Sequence, residues 1–137
     1  MEAGFEYDST LVLKGHIGFR FGAAYPWRLA DGERRLDLLE VPPLIAEGAL
    51  LKPTNMDPNP EITFEYVRRL TAAVQSVGSV LTLLWHPSSF ANPEWFDLYA
   101  RTLEHLDSEG AWFGTVREVG EWWRTHNEEI LNRDYDE

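Results

Sequence analysis

Helical and strand-like patterns alternate through the second half of this 137-residue chain. Apolar side chains at helical spacing predict a helix over 62–77. The continuous apolar run Val80–Trp85 that follows predicts a buried strand of a parallel sheet. Asn92 and Pro93 then mark the start of a second helix, which we expect to end at Gly110.

A third strand and a third helix continue this order and decide the predicted fold class. Ala111–Gly114 predicts a short strand, and Thr115 with Glu118 forms a capping-box pattern for a final helix that reaches Ile130. Strands that alternate with helices favour βαβ units. We therefore predict an α/β fold with a mostly parallel sheet.

The first 60 residues differ in character, because they hold more Gly and Pro and only short apolar runs. We predict strands at Leu11–Leu13, Gly18–Phe21 and Leu38–Val41, with a turn at Asp31-Gly32. The predicted organisation is one partial domain, 1–137, with an irregular strand-and-loop part over 1–60, regular β/α units over 61–130 and an acidic tail over 131–137. So few β/α units would leave sheet edges exposed, which indicates a piece of a larger fold.

Composition and charge narrow the classes of partner. The net charge of -11 repels phosphate backbones, so we expect no nucleic-acid partner. The apolar runs are far shorter than the ~20 residues of a membrane-spanning helix, so we expect no membrane insertion. Residues 1–8 show no signal-peptide pattern, which makes a cytoplasmic location the default expectation. The lack of Cys excludes disulfides and thiolate metal ligands.

His86 is the best-placed titratable residue, because it directly follows the predicted strand 80–85. Parallel α/β folds gather functional residues at that end of a strand, and an imidazole there suits general acid or base catalysis. Ser88 lies beside it. The alternative is a structural histidine bonded within a loop. Asp8 is the second candidate, since a carboxylate can orient an imidazole, and an ordinary turn aspartate is its alternative.

An arginine and two aromatic residues of the first half suit sugar binding. Arg20 lies between phenylalanines and is able to bind a carboxylate or stack on a sugar, or else is a surface residue of a strand. Tyr25 and Trp27 form either a sugar-stacking wall or a packed loop. Glu40 lies in an otherwise apolar strand, where an acid needs a partner or solvent.

No complete metal site is visible on this chain. The four histidines, His16, His86, His105 and His126, include no pair at i, i+3 or i, i+4 spacing, and H-E-x-x-H and similar zinc patterns are missing. We therefore predict no metal ligands here. A G-x-S-x-G pattern is also missing, which argues against a serine hydrolase of that kind.

Five segments match one known family in order and spacing. They are AGFEYDSTL at 3–11, GFRFGAAYPWRL at 18–29, LLEVPPLI at 38–45, LTLLWHPSSF at 81–90 and GAWFGTVREVGEWWR at 110–124. Together they resemble the C-terminal portion of the polysaccharide deacetylases, the NodB-like group that is also called carbohydrate esterase family four. The resemblance covers nearly the whole chain.

The resemblance implies an irregular (β/α) barrel that removes N- or O-acetyl groups from sugar polymers with a divalent metal, usually zinc. Leu84, Trp85 and His86 match the fifth family motif. His86 would then be the general acid that protonates the leaving amine, while Leu84 and Trp85 would line the substrate site. Asp8 stands where the fourth motif falls, whose aspartate tunes that histidine.

The three family motifs that carry the metal ligands, the base and an arginine have no match in this sequence. Without a Lewis acid and a base, His86 cannot complete the reaction, so we expect a fragment that is inactive alone. It would need an N-terminal half, or would self-associate. The alternative is a non-catalytic carbohydrate-binding or interaction domain, which aromatic residues such as Tyr25, Trp27 and Trp85 suit. Both alternatives imply a carbohydrate polymer or oligosaccharide as partner.

Overall fold

A computed structural model of the chain describes residues 4–23, 25–50 and 59–127. The strands are β1 (Tyr7–Asp8), β2 (Trp27–Asp31), β3 (Arg34–Glu40), β4 (Pro43–Ala46) and β5 (Thr82–Leu84). The helices are α1 (Glu47–Leu50), α2 (Pro60–Ser76), α3 (Pro93–Ser108) and α4 (Val116–His126), and two 3-10 turns span Arg20–Gly22 and Pro87–Ala91. The fold is mixed α/β.

The strands form two small sheets. In the first, β3 lies between β1 and β2, parallel to β1 and antiparallel to β2. β2 and β3 form a hairpin whose turn contains Gly32 at φ +60°, so the turn predicted there is confirmed. In the second sheet, β4 and β5 run parallel, with Ala46 opposite Leu84. The described strands form no closed barrel.

Two of the predicted helices are confirmed, and each begins at a capping asparagine. Helix α2 corresponds to the helix predicted over 62–77. The Asn59 side chain before it accepts a hydrogen bond from the Glu61 N–H at 2.9 Å. Helix α3 starts at Pro93, where the Asn92 side chain caps the Glu94 N–H at 3.0 Å. Both begin where a side-chain oxygen satisfies an otherwise unpaired helix N–H group.

Helix α4 begins with the predicted capping box. Thr115 Oγ1 accepts from the Glu118 N–H at 3.2 Å, and a Glu118 carboxylate oxygen accepts from the Thr115 N–H at 2.7 Å. The helix ends at His126. The predicted end at Ile130 and the acidic tail 131–137 lie outside the described residues.

Two strands predicted in the first half are wrong, because other acceptors take their backbone N–H groups or the chain turns. Over Leu11–Leu13, the Leu11 N–H donates to the Glu40 side chain at 3.1 Å, so no ladder forms. Over Gly18–Phe21, Gly18 donates once to β4, at the Leu44 carbonyl, 2.9 Å away. The chain then turns at Phe21, which has φ +57°.

The strand predicted at Ala111–Gly114 is also wrong. The Ala111 N–H donates to the Leu106 carbonyl at 3.0 Å and closes the end of α3, and the segment is exposed and unpaired. The strand predicted at 80–85 forms as the shorter β5, but it is half-buried to exposed and not buried as predicted. The strand predicted at 38–41 forms as the end of the longer β3.

In the described part of the chain, the core consists of two clusters. The larger joins β4, α1, α2 and α3 through Leu44, Ile45, Leu50, Val67, Leu70, Val74 and Leu98. The smaller joins β3 to α4 through Leu39, Val41 and Trp123. In none of the described segments is a helix both long and apolar enough to cross a membrane.

Helix α4 approaches β1 closely. A Cβ atom on Gly120 would overlap the Tyr7 ring, so only glycine allows this approach. Arg124 strengthens the contact, because it donates to the Asp37 carboxylate at 2.7 Å and to the Glu6 carbonyl at 3.1 Å. The helix is thereby fixed across the three-stranded sheet.

Candidate active site

Strands β4 and β5 end side by side, and their next residues form the candidate site. Because Ala46 pairs with Leu84 in a parallel register, Glu47 and the Trp85-His86 pair leave the sheet at the same edge. Functional residues of parallel sheets gather at this carboxyl edge. The two side chains that meet there are those of Glu47 and His86.

One carboxylate oxygen of Glu47 receives several donors. Its Oε1 atom is hydrogen-bonded to Nδ1 of the His86 ring. The same atom accepts from the His86 backbone N–H at 3.1 Å and from the Ser89 hydroxyl at 3.3 Å. The Glu47 side chain is 7% exposed and that of His86 63%. A buried carboxylate thus holds an imidazole whose other nitrogen, Nε2, is not used by this contact.

The charge state of Glu47 follows from these contacts. Burial raises the pKa of its carboxyl group. The hydrogen bonds from the ring and backbone of His86, together with the ring's charge, lower the pKa by more than burial raises it, so the pKa lies below its ordinary value. Glu47 is therefore ionised at neutral pH and accepts a hydrogen bond from the Nδ1–H group of His86. Nε2 of His86 is then the atom that can exchange a proton with a bound molecule.

Residues around His86 form a partly apolar surface. Leu84 is 37% exposed, and Ser88, in the 3-10 turn that follows His86, is also exposed. The half-buried Trp85 packs against Tyr99, with ring centroids 5.2 Å apart, and the Phe90 ring lies 5.1 Å from the same tyrosine ring. Trp85, Tyr99 and Phe90 therefore form an aromatic cluster that begins at the residue preceding His86.

Asp8 lies in the other sheet, among different contacts. Its carboxylate accepts from the Ser9 N–H and from the Thr10 hydroxyl, each at 2.9 Å, as in a turn. Its partner in the register of β1 and β3 is Glu40. Among the described residues, the carboxylate that contacts His86 is that of Glu47.

Glu40 is completely buried, and a hydrogen-bond donor reaches one of its two carboxylate oxygens. Its Oε1 accepts from the Leu11 N–H at 3.1 Å, while its Oε2 has no partner among the described residues. Burial raises the pKa of Glu40, and the neighbouring Asp8 carboxylate raises it further against the opposing effect of the Leu11 N–H. The two carboxyl groups form a pair separate from His86.

The remaining predicted sugar-binding residues make contacts away from His86. Arg20 donates to the Val12 carbonyl at 2.7 Å, and its guanidinium lies 5.0 Å from the centre of the Phe21 ring. Tyr25 stacks on Trp123, with ring centroids 6.3 Å apart. Trp27 lies on β2 opposite Glu40. No hydrogen bond or ring contact between described residues joins Arg20, Tyr25 or Trp27 to His86.

Sequence reasoning missed Glu47 and Ser89. Glu47 carries a detectable signal, because it directly follows the apolar run Val41–Ala46, just as His86 follows Val80–Trp85. An acid at that point of a parallel strand lies at the edge where His86 was expected. Ser89 carries no such signal, since only the turn at Pro87–Ala91 directs its hydroxyl inward.

The described residues do not fit a zinc site, because no three His, Asp or Glu side chains among residues 4–23, 25–50 and 59–127 lie close enough to hold a metal ion. No protein-family model, curated protein or solved structure matches the chain.

Proposed function

We propose that this chain is the C-terminal portion of a polysaccharide-deacetylase-like barrel, in which Glu47 and His86 transfer the proton to the leaving group. The observation that supports this most directly is the buried, ionised Glu47 on Nδ1 of an exposed His86 at the end of β5. The resemblance of Leu84-Trp85-His86 to the motif that carries the family's catalytic acid is the second support.

The proposed chemistry is proton transfer during hydrolysis of an acetylated sugar. When water has added to the acetyl carbon, the bond from that carbon to nitrogen or oxygen breaks, and the leaving atom must gain a proton. Protonated His86 donates it from Nε2. Glu47 keeps the Nδ1 proton in place and stabilises the charged ring, the role that the resemblance gave to Asp8.

The remaining groups of the reaction are assigned to an N-terminal half. The resemblance places the zinc ligands and the water-activating base on motifs that have no match here. This chain then carries out the proton transfer, and its residues Leu84, Trp85 and Ser88 form one wall of the carbohydrate groove. The chain alone then binds but does not hydrolyse.

An open surface beside β5 suits the pairing that this proposal needs. A cavity of about 690 Å³ lies between β5 and the exposed segment 111–114, with Val80, Leu83, Trp112 and Trp123 in its lining. We propose that the N-terminal half covers it, or a second copy when that half is missing. Sedimentation that shows a stable monomer with no self-association would contradict the second-copy arrangement.

A non-catalytic carbohydrate-binding domain is the second candidate. Several aromatic rings are exposed, with Phe96 at 54%, Trp112 at 60% and Trp122 at 45%. Aromatic faces are suited to binding without catalysis, because they need no metal. Glycan binding without acetate release, even in the presence of an N-terminal half, would favour this candidate.

The decisive experiment measures zinc content and acetate release on acetylated chito-oligosaccharide. The 137-residue chain should show neither bound zinc nor turnover. In the parent enzyme that the proposal requires, His86→Ala should lower kcat by about 100- to 10,000-fold, the usual contribution of a general acid. His126→Ala, at an exposed helix end, is the matched control and should have no effect.

Two outcomes would overturn the proposal. Normal turnover of His86→Ala in the parent enzyme would remove the general-acid role. Stoichiometric zinc and acetate release by the isolated chain would show that the site is complete without an N-terminal half.

A further inference from the structure

We infer that Ser89 is a positioning residue, whose hydroxyl holds the Glu47 carboxylate in the orientation that receives the His86 ring proton. The positioning role is inferred from the hydrogen bonds that Glu47 accepts from His86 and Ser89. Its consequence for turnover rests on the proposed function.

The turn that follows His86 directs the Ser89 hydroxyl inward. The Ser89 N–H donates to the His86 carbonyl at 2.9 Å, and the Ser89 carbonyl accepts from the Asn92 N–H at 3.2 Å, so both backbone groups are satisfied within the turn. Ser89 is only 6% exposed. A buried hydroxyl needs a partner, and the partner here is Glu47 Oε1 at 3.3 Å.

Among the described residues, His86 and Ser89 supply the three hydrogen bonds to this carboxylate oxygen, whereas Glu47 itself lies at the start of α1. The other oxygen of Glu47, Oε2, is buried without a partner among the described residues. Rotation of the carboxylate is therefore restrained through Oε1. Ser89 approaches that atom independently of the ring, so it holds the acceptor in place when the ring moves.

The length of the hydrogen bond between Ser89 and Glu47 determines how large an effect we expect from its loss. At 3.3 Å the bond is longer than the usual O–H···O bond of about 2.7–2.8 Å, so it is weak. Its loss should loosen the ring contact without abolishing it, because two donors from His86 remain. A weak hydrogen bond corresponds to a change of about two- to tenfold in an equilibrium.

The test is 15N NMR of the histidine ring in the 137-residue chain, which requires no turnover. We expect the Nδ1–H proton of His86 to be hydrogen-bonded in the wild type. In Ser89→Ala it should exchange with solvent about two- to tenfold faster, with a matching loss of the Nδ1–H tautomer. Ser89→Thr keeps the hydroxyl and should restore the wild-type signal. Ser88→Ala, in the same turn but exposed, should leave the ring unchanged.

Either of two results would overturn the inference: a Ser89→Ala spectrum equal to the wild type, or an equal change in Ser88→Ala. If Ser89→Ala does not fold, Ser89→Thr and Ser89→Val provide the same comparison, because their side chains have nearly the same shape and only threonine can donate. A ring that loosens while kcat of the parent enzyme stays constant would retain the positioning role and contradict the general-acid proposal.

Discussion

Among the described residues, the two buried glutamates have pKa values shifted in opposite directions, because their neighbours differ. Glu47 accepts hydrogen bonds from His86 and Ser89, and the pKa of its carboxyl group is lowered despite burial. Glu40 faces the carboxylate of Asp8, and burial together with that charge raises its pKa. Burial alone would have raised both pKa values.

Glu47→Gln should destabilise the protein at neutral pH. A lowered pKa in the folded state means that Glu47 contributes stability above its ordinary pKa of 4.5, and that this stability is lost as the pH falls through the folded-state pKa. Loss of a charged acceptor should lower the free energy of unfolding by about 1.5–3 kcal/mol at pH 7. Urea denaturation at about pH 7 and about pH 3.5 measures the difference, which should shrink at the lower pH. The exposed Glu121→Gln is the control, and equal losses at both pH values would contradict the prediction.

Glu40→Gln should stabilise the protein at neutral pH. A raised folded-state pKa means that stability is fully present below the ordinary pKa of 4.5 and is lost as the pH rises through the folded-state pKa. Glutamine keeps the acceptor for the Leu11 N–H and adds a donor for the Asp8 carboxylate. We expect the free energy of unfolding to rise by about 1 kcal/mol at pH 7. A thermal melt that shows a lower midpoint would refute this, and Asp8→Asn should give a change of the same sign.

Helices were easier to predict than strands, because the signals that start a helix lie next to it. Asn92-Pro93 and Thr115 with Glu118 cap helices where the sequence indicates. The strand at 11–13 fails, since the carboxylate of Glu40, distant in sequence, takes the Leu11 N–H. A local apolar pattern does not show which distant group will compete for the backbone.

The candidate site was predictable only in part, for the same reason. His86 follows an apolar run and was found from that pattern. Its carboxylate partner depends on the register between β4 and β5, which pairs Ala46 with Leu84 across a gap in sequence. Asp8 and Glu47 are both acids near strand ends, and only this pairing identifies Glu47 as the residue that contacts the ring.

Gly120→Ala should separate α4 from β1. The added Cβ would overlap the Tyr7 ring, so the helix or the ring must shift, which costs about 1–3 kcal/mol. Urea denaturation measures the loss. Gly48→Ala is the control, because its Cβ would meet nothing within 4 Å, and alanine favours helix. If both variants were equally stable, the close approach of helix and strand would be wrong.

At the scale of the molecule, the two core clusters differ in size and should differ in stability. Of the residues that the structure describes, seven buried ones form the first cluster and three the second. Regions with few buried apolar contacts open at lower free energy than the global unfolding. We therefore expect amide hydrogens of β3 and α4 to exchange faster than those of α2. Hydrogen exchange followed by NMR measures this, and uniform protection across both regions would show one cooperative unit.

Glu47 and His86 lie 39 positions apart in sequence, so their contact also records a folding event. The ring can meet the carboxylate only after β4 and β5 have paired, a step that must close the intervening loop against chain entropy. The NMR signal of the hydrogen-bonded Nδ1 proton therefore reports when β4 and β5 have paired. In a refolding experiment its signal should follow helix formation, which needs only local contacts.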